Sequence, residues 1–517
     1  MTETILALDN GTQSVRALLF DRDGELLFRS QVKFDPVYLS PLPGYAEQSA
    51  EYYWTCLVSA VQGLWQQGAR PADVIGVTLT TQRGTIVAVD EEGMALRPAI
   101  TWLDQRETTH PPALPLYWQA LFRAVGATDT VSQFLRQAEA NWIAHHEPDV
   151  FARMHKCLLL SGYLTHRLTG RFRDAVAAQV GYVPFDFRHQ EWARGWDWKW
   201  AALRLRREHL PDLVPAGGLL GHITAATATE TGIPEGLPLL SAGADKACEV
   251  LGSGCLDPQL GALSFGTTAT INTIRRNYVE VTPLLPPYPA PVPGHYCTEV
   301  QTSRGFWMVN WFREQFGAED MASALAEDIP VEQIFERHLQ ATPAGNMGLM
   351  LQPYWSPGVR EPGREAKGAL IGFGDVHGRA HVYRAIVEGL MYALKDSAGR
   401  IEKRAKVRLR SLRASGGGAQ SDSVVQIAAD VFGLMVERPH TTETSGLGAA
   451  ICAAVGLGLQ PDYQTAVSKM TRVGYTVQPD KSRQELYHQL YSKVYQPLYT
   501  QLQPLYREIR SITGYPR

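Results

Sequence analysis

Asp9-Asn10-Gly11-Thr12 near the start, Gly266-Thr267-Thr268 midway and Gly416-Gly417-Gly418 late in the chain are the residues best suited to hold phosphate. Phosphate oxygens need main-chain N–H donors at close range, and glycine lets the main chain approach. The first two pieces follow the apolar runs "ILAL" and "GALSF", which read as strands, and turn through Gly-Thr into "SVRALLF" and "ATINTI". One phosphate-cradling hairpin is therefore used twice, and two such turns facing each other could grip a nucleoside triphosphate. Thr12 and Ser14 add hydroxyl donors. Asp9 stands at a strand end, where a carboxylate can hold a magnesium ion; such ions bridge phosphate oxygens and neutralise charge that develops in transfer. The second hairpin has Ser264 and no acid, which places the metal with the first. Read singly, Asp-x-Gly-Thr is equally a plain β-turn; the second copy after a matching strand argues against that.

Asp245 is the next candidate. It follows "SAGA" at a strand end and precedes "KACEVLGSG", which can start a helix. A carboxylate at such a junction can take the proton of a hydroxyl as its oxygen attacks phosphorus. Aspartate is also a favoured helix N-cap, and the local residues alone leave both readings open.

The elements that must carry these residues follow from pattern. Ile5–Leu8, Val15–Phe20 and Leu26–Val32 read as a three-strand meander, with Gly24 in the second turn. Ser49 caps a helix in which Trp54, Leu57, Val58, Val61, Leu64 and Trp65 recur at helical spacing, and Gly68 ends it. Val74–Thr80 is the next strand, followed by a hairpin through Asp90-Glu91-Glu92-Gly93. Residues 130–170 read as mostly helical, and "RLRREH" (204–209) as a solvated helix face. The proline-rich 283–294 reads as a rigid loop between strands. A long amphipathic helix covers His377 to Lys403, and Leu409–Ala414 is a strand into the triple glycine. Two halves, each opening on a strand–Gly-Thr–strand hairpin and closing with helices, predict duplicated α/β domains that divide near residues 246–256.

Bulk properties narrow the class. A chain of 517 residues is too long for one compact core. Hydrophobic residues at 45% and charged residues at 20% describe an ordinary globular protein, and a net charge of −3 offers no basic footprint for nucleic acid. The scattered cysteines (Cys56, Cys157, Cys248, Cys255, Cys297, Cys452) contain no CxxC pair and read as buried apolar residues in a reducing compartment. "MTETILALDNG" enters a strand at once, with no signal peptide ahead of it, and no apolar run reaches membrane-spanning length. His145-His146 lacks companion ligand spacing for a metal. The expectation is a cytoplasmic enzyme without nucleic-acid or membrane partners, with a homodimer left open.

Several ordered segments together resemble the FGGY carbohydrate kinase family from end to end. They are "LALDNGTQSVRALLFD", "ITWLDQR", "SGYLTHRLTG", "AGADKACEVLGSG", "SFGTTATINT", "KGALIGFGDVHGRAHVYRAIVEG", "ASGGGAQSDSVVQIAADVFG" and "GLGAAICAAVG". The resemblance implies two actin-like (ribonuclease H-like) α/β domains that close over ATP and a sugar or polyol. It assigns 1–254 to an N-terminal sugar- and metal-binding domain and 255–517 to a C-terminal ATP-binding domain. It matches Asp9 to a metal-associated aspartate and Asp245 to the catalytic base, with Asp245 also within reach of Mg2+. The implied ATP-binding residues are Gly11, Thr12, Gln13, Ser14, Arg16, Gly266, Thr267, Thr268, Gly417, Gly418, Ala419 and Ser421. The implied substrate-facing residues are Gln82, Arg83, Trp102, Asp104, Asp245 and Lys246, with Arg106 in the same pattern, meeting substrate or Asp104.

This chain departs from the family pattern in places. Glu139 stands three residues before Trp142, where the family carries lysine, and Phe373 replaces a smaller aliphatic residue. Thr81-Gln82-Arg83-Gly84 lacks the acid of glycerol kinases and the Met-His of many pentulose kinases, which disfavours both pockets. Arg83 could fork onto vicinal hydroxyls or a carboxylate, or be a surface arginine at a strand end. Trp102 could line a sugar or belong to the core. Lys246 would stabilise ionised Asp245 and weaken it as a base, pair with Glu249, or meet an acidic substrate. With Arg83 it raises the hypothesis of an oxidised sugar. The rivals to a kinase are an actin-like ATPase switch, with water in place of sugar, and a catalytically silent sugar sensor.

Overall fold

The computed structural model describes residues 3–302, 304–356 and 362–515, and these divide into two compact units. The first comprises residues 1–256, 274–297 and 443–472; the second comprises 257–273, 298–442 and 473–517. The expectation of two contiguous halves therefore meets a chain that returns to its first unit twice. The physical reason is packing. The apolar, glycine-rich helix at 444–456 is buried against strands and a helix of the first unit rather than against its sequence neighbours.

The first unit is built on a mixed sheet of strands β1 (Thr4–Asn10), β2 (Ser14–Asp21), β3 (Leu26–Lys33), β4 (Val74–Thr81), β5 (Leu219–His222) and β6 (Pro238–Ala244). Its order is β5-β6-β4-β1-β2-β3. The meander β1–β2–β3 is antiparallel, as its turns require, while β1, β4 and β6 run parallel. Helix α1 (Ala50–Gln66) begins where Ser49 Oγ accepts the Tyr52 N–H. It lays Trp54, Leu57, Val61 and Leu64 on Leu6, Leu8, Val15 and Leu19. Helices α2 (Asp245–Gly252) and α3 (Thr444–Gly456) pack directly on each other, both nearly free of exposed surface beyond their first turns.

The second unit repeats the plan. β7 (Leu260–Phe265) and β8 (Ala269–Arg275) form an antiparallel hairpin, and β7 lies parallel to β9 (Ser411–Ser415). Beyond β9 come Met435–Pro439 and Val473–Val477. The helix Arg379–Ala405 buries Ile386, Leu390, Leu394 and Ile401 along one side.

One local expectation is corrected, and two others, the mostly helical 130–170 and the proline-rich loop, hold with a short strand in each. Residues 204–209 are not a helix face: only Arg207–His209 form a 3-10 turn, and Leu205 and His209 are buried. The helical stretch 130–170 is interrupted by the strand Lys156–Leu159, whose Cys157 and Leu158 pair with Ala88 and Val87. The proline-rich segment includes a short strand, Tyr288–Pro289, tolerated because its two residues pair only with Tyr296 and Cys297. All six cysteines are buried, and none is in a disulfide among the described residues. Among the described residues, no helix is long and apolar enough to cross a membrane.

Candidate active site

β1, β4 and β6 all end at the same edge of the first unit's sheet. Asp9 is paired with Thr80 near the end of β4, and Ala244, the last residue of β6, with Thr81. Asp9 and Asp245 therefore leave neighbouring-but-one strands, about 10 Å apart in main chain at ordinary strand spacing. Such carboxyl edges are where open α/β sheets bind ligands.

Asp9 is buried, and Arg16 Nη1 lies 3.1 Å from its Oδ2. Burial pushes its proton affinity up to about 7; Arg16 opposes the rise, and the charges of Asp245 and Glu443 add to it. Asp245 is the first residue of α2, with Ala244 in the cap position, so the capping alternative is not what the fold uses. Its Oδ1 accepts the Lys246 N–H at 2.7 Å. The residue is half-buried. Burial raises its proton affinity, with Arg83 and then Lys246 pulling against it. The expected weakening by Lys246 is thus outweighed by burial. Lys246 Nζ pairs with Glu249 at 2.7 Å, one of the alternatives its sequence position offered.

Other first-unit residues gather here. The Gly11 N–H closes the turn on the Ser14 carbonyl at 3.0 Å. Thr12 Oγ1 accepts Trp102 Nε1–H at 2.9 Å, which ties Trp102, 42% exposed, to the phosphate turn rather than to the core. Gln13 is exposed on the same turn. Gln82 is buried beside the Tyr53 hydroxyl, and its Nε2 has no hydrogen-bond partner among the described residues. Arg83 holds its guanidinium over the Tyr288 ring, 5.2 Å from the centroid. Gly84 has φ +64°, a left-handed conformation that glycine adopts without strain.

Two of the expected residues have protein partners of their own. Ser14 is buried in β2 and its Oγ accepts Gln31 Nε2–H at 2.9 Å, so it faces into the sheet. Asp104 is a structural anchor. It accepts the Ala46 N–H and takes Arg106 at 2.7 Å, while Arg106 also reaches Glu47 and lies over Tyr45 and Trp142. Its carboxylate is fully engaged within the protein.

In the second unit, Gly266 and Thr267 turn between β7 and β8 with their carbonyls accepting from the Phe306 and Trp307 N–H groups. Thr267 is exposed and Thr268 half-buried. At the triple glycine, Gly416 adopts φ +86°, and a methyl at Gly418 would lie 2.4 Å from the Phe306 ring. Gly417 and Ala419 lie in the 3-10 turn that follows. Ser421 caps the helix Asp422–Phe432 by accepting the Val424 N–H, and donates its own proton to Glu336 at 2.5 Å. Its side chain is thus a cap, with Glu336 as a partner that no sequence pattern suggested.

Sequence reasoning also passed over Glu443, Arg29, Tyr53 and Tyr288. Each reaches the site from far along the chain or through an unremarkable local pattern. Asn10 is fully buried inside the first turn with both amide atoms unpartnered among the described residues.

A mixed sheet that opens on a strand–Gly-Thr–strand hairpin recurs in both units, with a buried carboxylate on the hairpin of the first. Residues 4–252 match the N-terminal domain, and residues 261–457 the C-terminal domain, of the FGGY family of carbohydrate kinases. The chain is 30% identical over 505 residues to the uncharacterized sugar kinase YgcE of Escherichia coli, covering 96% of this chain and 93% of that one. It is 27% identical over 520 residues to a xylulose kinase of Staphylococcus epidermidis, covering 99% of each. The ligand-bound xylulose kinase of Lactobacillus acidophilus superposes with a TM-score of 0.79 at 20% identity, over 99% of each chain. This protein belongs to the FGGY family of carbohydrate kinases and has its actin-like fold.

Proposed function

We propose that this kinase transfers the terminal phosphoryl group of ATP to a hydroxyl of a small sugar or polyol, with Asp245 as general base. The observation that carries the reading is the placement of two carboxylates, Asp9 and Asp245, at one edge of three parallel strands. Both have raised proton affinity, and each has an arginine near it. A raised proton affinity makes Asp245 a better acceptor for a hydroxyl proton. As that proton leaves, the sugar oxygen forms a bond to phosphorus and the bond to the ADP oxygen breaks.

Asp9, with Asp245 as the second carboxylate, would hold magnesium. The fit is supported by the charge balance, because burial leaves Asp9 so poorly compensated that it is half-protonated near pH 7. A bound magnesium ion would neutralise charge on the phosphate oxygens. Arg16 and the Gly11–Thr12 turn would take phosphate, as would Gly266–Thr268 in the second unit. Gly417–Ala419 would leave glycine-lined space for adenosine. The unpaired Gln82 amide and the exposed Trp102 face would take the substrate's hydroxyls and carbon chain.

The Lys246–Glu249 pair cancels one of the two cations that suggested an acidic sugar, which favours neutral compounds. The buried cysteines, none of them in a disulfide among the described residues, support a reducing, cytoplasmic setting. The test is ADP release measured against a panel of ketoses, polyols and sugar acids. Turnover with a neutral sugar or polyol is expected. ATP hydrolysis indifferent to every compound would favour the ATPase switch, and no ADP formation at all would favour a silent sensor.

A further inference from the structure

A run of alternating charge leads from the buried carboxylate of the first phosphate turn out to an exposed arginine: Asp9, Arg16, Glu443, Arg29. Arg16 Nη1 is 3.1 Å from Asp9, Arg16 Nε is 3.5 Å from Glu443 Oε2, and Arg29 Nε is 3.0 Å from Glu443 Oε1. The Glu443 side chain is only 5% exposed and that of Asp9 3%, while Arg16 at 31% and Arg29 at 43% keep one side to solvent, so the two carboxylates are shielded and the cations partly screened. The guanidinium of Arg16 is a rigid plane. Nη1 is the nitrogen nearest Asp9 and Nε the one nearest Glu443. The two carboxylates thus fix the plane's orientation, and neither alone would. Glu443 stands immediately before α3, a buried helix, which gives it a firm base.

We propose that Glu443 is a positioning residue for nucleotide binding. It holds Arg16 in the orientation that presents its remaining edge to phosphate, and it keeps Arg16 from closing entirely onto Asp9. Without the Glu443 charge, Arg16 would answer to Asp9 alone, and the two groups needed for phosphate and metal would neutralise each other. Arg29, on the other oxygen, keeps Glu443 in place.

This inference rests on the kinase reading, and the test separates the two. The full chain is titrated calorimetrically with ADP in the presence of Mg2+, and each variant is melted in parallel. Glu443→Gln is expected to weaken ADP binding about five- to tenfold, the usual size of coupling within a shielded charge network. Glu443→Asp keeps the charge and should lose only about threefold, by the same coupling reduced. Arg16→Gln should abolish the effect, so that Arg16→Gln with Glu443→Gln binds ADP as Arg16→Gln alone does. A Glu443→Gln protein that binds ADP as the wild type does, or effects that simply add in the double variant, would overturn the proposal. A lowered melting temperature with unchanged binding would do the same, because it marks a purely structural ion pair. Should Glu443→Gln not fold, Glu443→Asp with its Arg16 double variant carries the same test. Wild-type protein that fails to bind ADP overturns the kinase reading itself.

Discussion

Adding one methyl group at Gly448 should disable this enzyme from behind its active site. Gly448 lies where α3 crosses α2, and a Cβ built there falls 1.9 Å from the Cys248 carbonyl oxygen. Its counterpart Gly252 would place a Cβ 2.0 Å from the Thr444 carbonyl oxygen. Ordinary contact begins at 3.4 Å, so Gly448→Ala forces the helices apart by about 1.5 Å. The obstacle is main chain, which cannot swing aside as a side chain would. Overpacking of this kind costs about 3 kcal/mol, and the better helix propensity of alanine returns about 1 kcal/mol. The net loss is about 2 kcal/mol, read as a drop in melting temperature on the order of 2 °C for a chain of this length. The effect on catalysis should be larger than stability alone implies, because α2 begins at Asp245. A shift on the order of 1 Å in a reacting group costs about a hundredfold in rate. Scanning calorimetry and coupled ADP assays on the purified variant measure both. Gly399→Ala is the control. That glycine lies in a helix with open space around it, and alanine there should stabilise by roughly 0.5–1 kcal/mol. Wild-type melting and turnover in Gly448→Ala would refute the argument that backbone contact between these helices places Asp245.

Other consequences are independent of the active site. Glu388 and Arg384 form a buried ion pair at 2.6 Å, completed by the Tyr487 hydroxyl at 2.7 Å and the Gly345 N–H. Glu388→Ala strands a buried guanidinium and should cost about 3–5 kcal/mol in urea unfolding, and a loss below 1 kcal/mol would contradict this. Asp174 is buried and its proton affinity is raised to about 6 by burial, against hydrogen bonds from Gln179 Nε2 and the Ala175 N–H. Its folded form binds the proton more tightly than its unfolded form, so its contribution is complete below about pH 4 and is lost as pH rises through 6. Asp174→Asn should flatten that part of the stability profile, measured as melting temperature from pH 4 to 7; an unchanged difference between the two proteins across that range would exclude it.

Much of this architecture is legible in the sequence because it is local. The meander was readable from apolar alternation and Gly24, and the observed strands extend those runs by only a residue or two at most ends. Ser49 announces α1 through its cap, and Gly68 closes the turn after it. The repeated Gly-Thr hairpin is visible for the same reason, since a strand, a tight turn and a strand are contiguous. The groups that tune the site are not contiguous. Glu443 meets Arg16 and Arg29 only because α3 returns to the first unit. Tyr288 meets Arg83 from a proline-rich stretch whose composition says loop. Asp104 had the right chemistry for a sugar contact, and only the arrangement of Arg106, Glu47 and Tyr45 shows it to be an anchor. Lys246 had three readings one residue from the candidate base, and the turn of α2 that brings it to Glu249 selects among them.

The central claim is that the Asp245 carboxylate accepts the hydroxyl proton during phosphoryl transfer. Asp245→Asn keeps the size and the helix start while removing the base, so single-turnover phosphorylation and ADP affinity measured on one preparation test it most directly. The account predicts a loss of at least about a thousandfold in transfer, with ADP affinity within about twofold of wild type. Transfer within tenfold of wild type in that variant would contradict it.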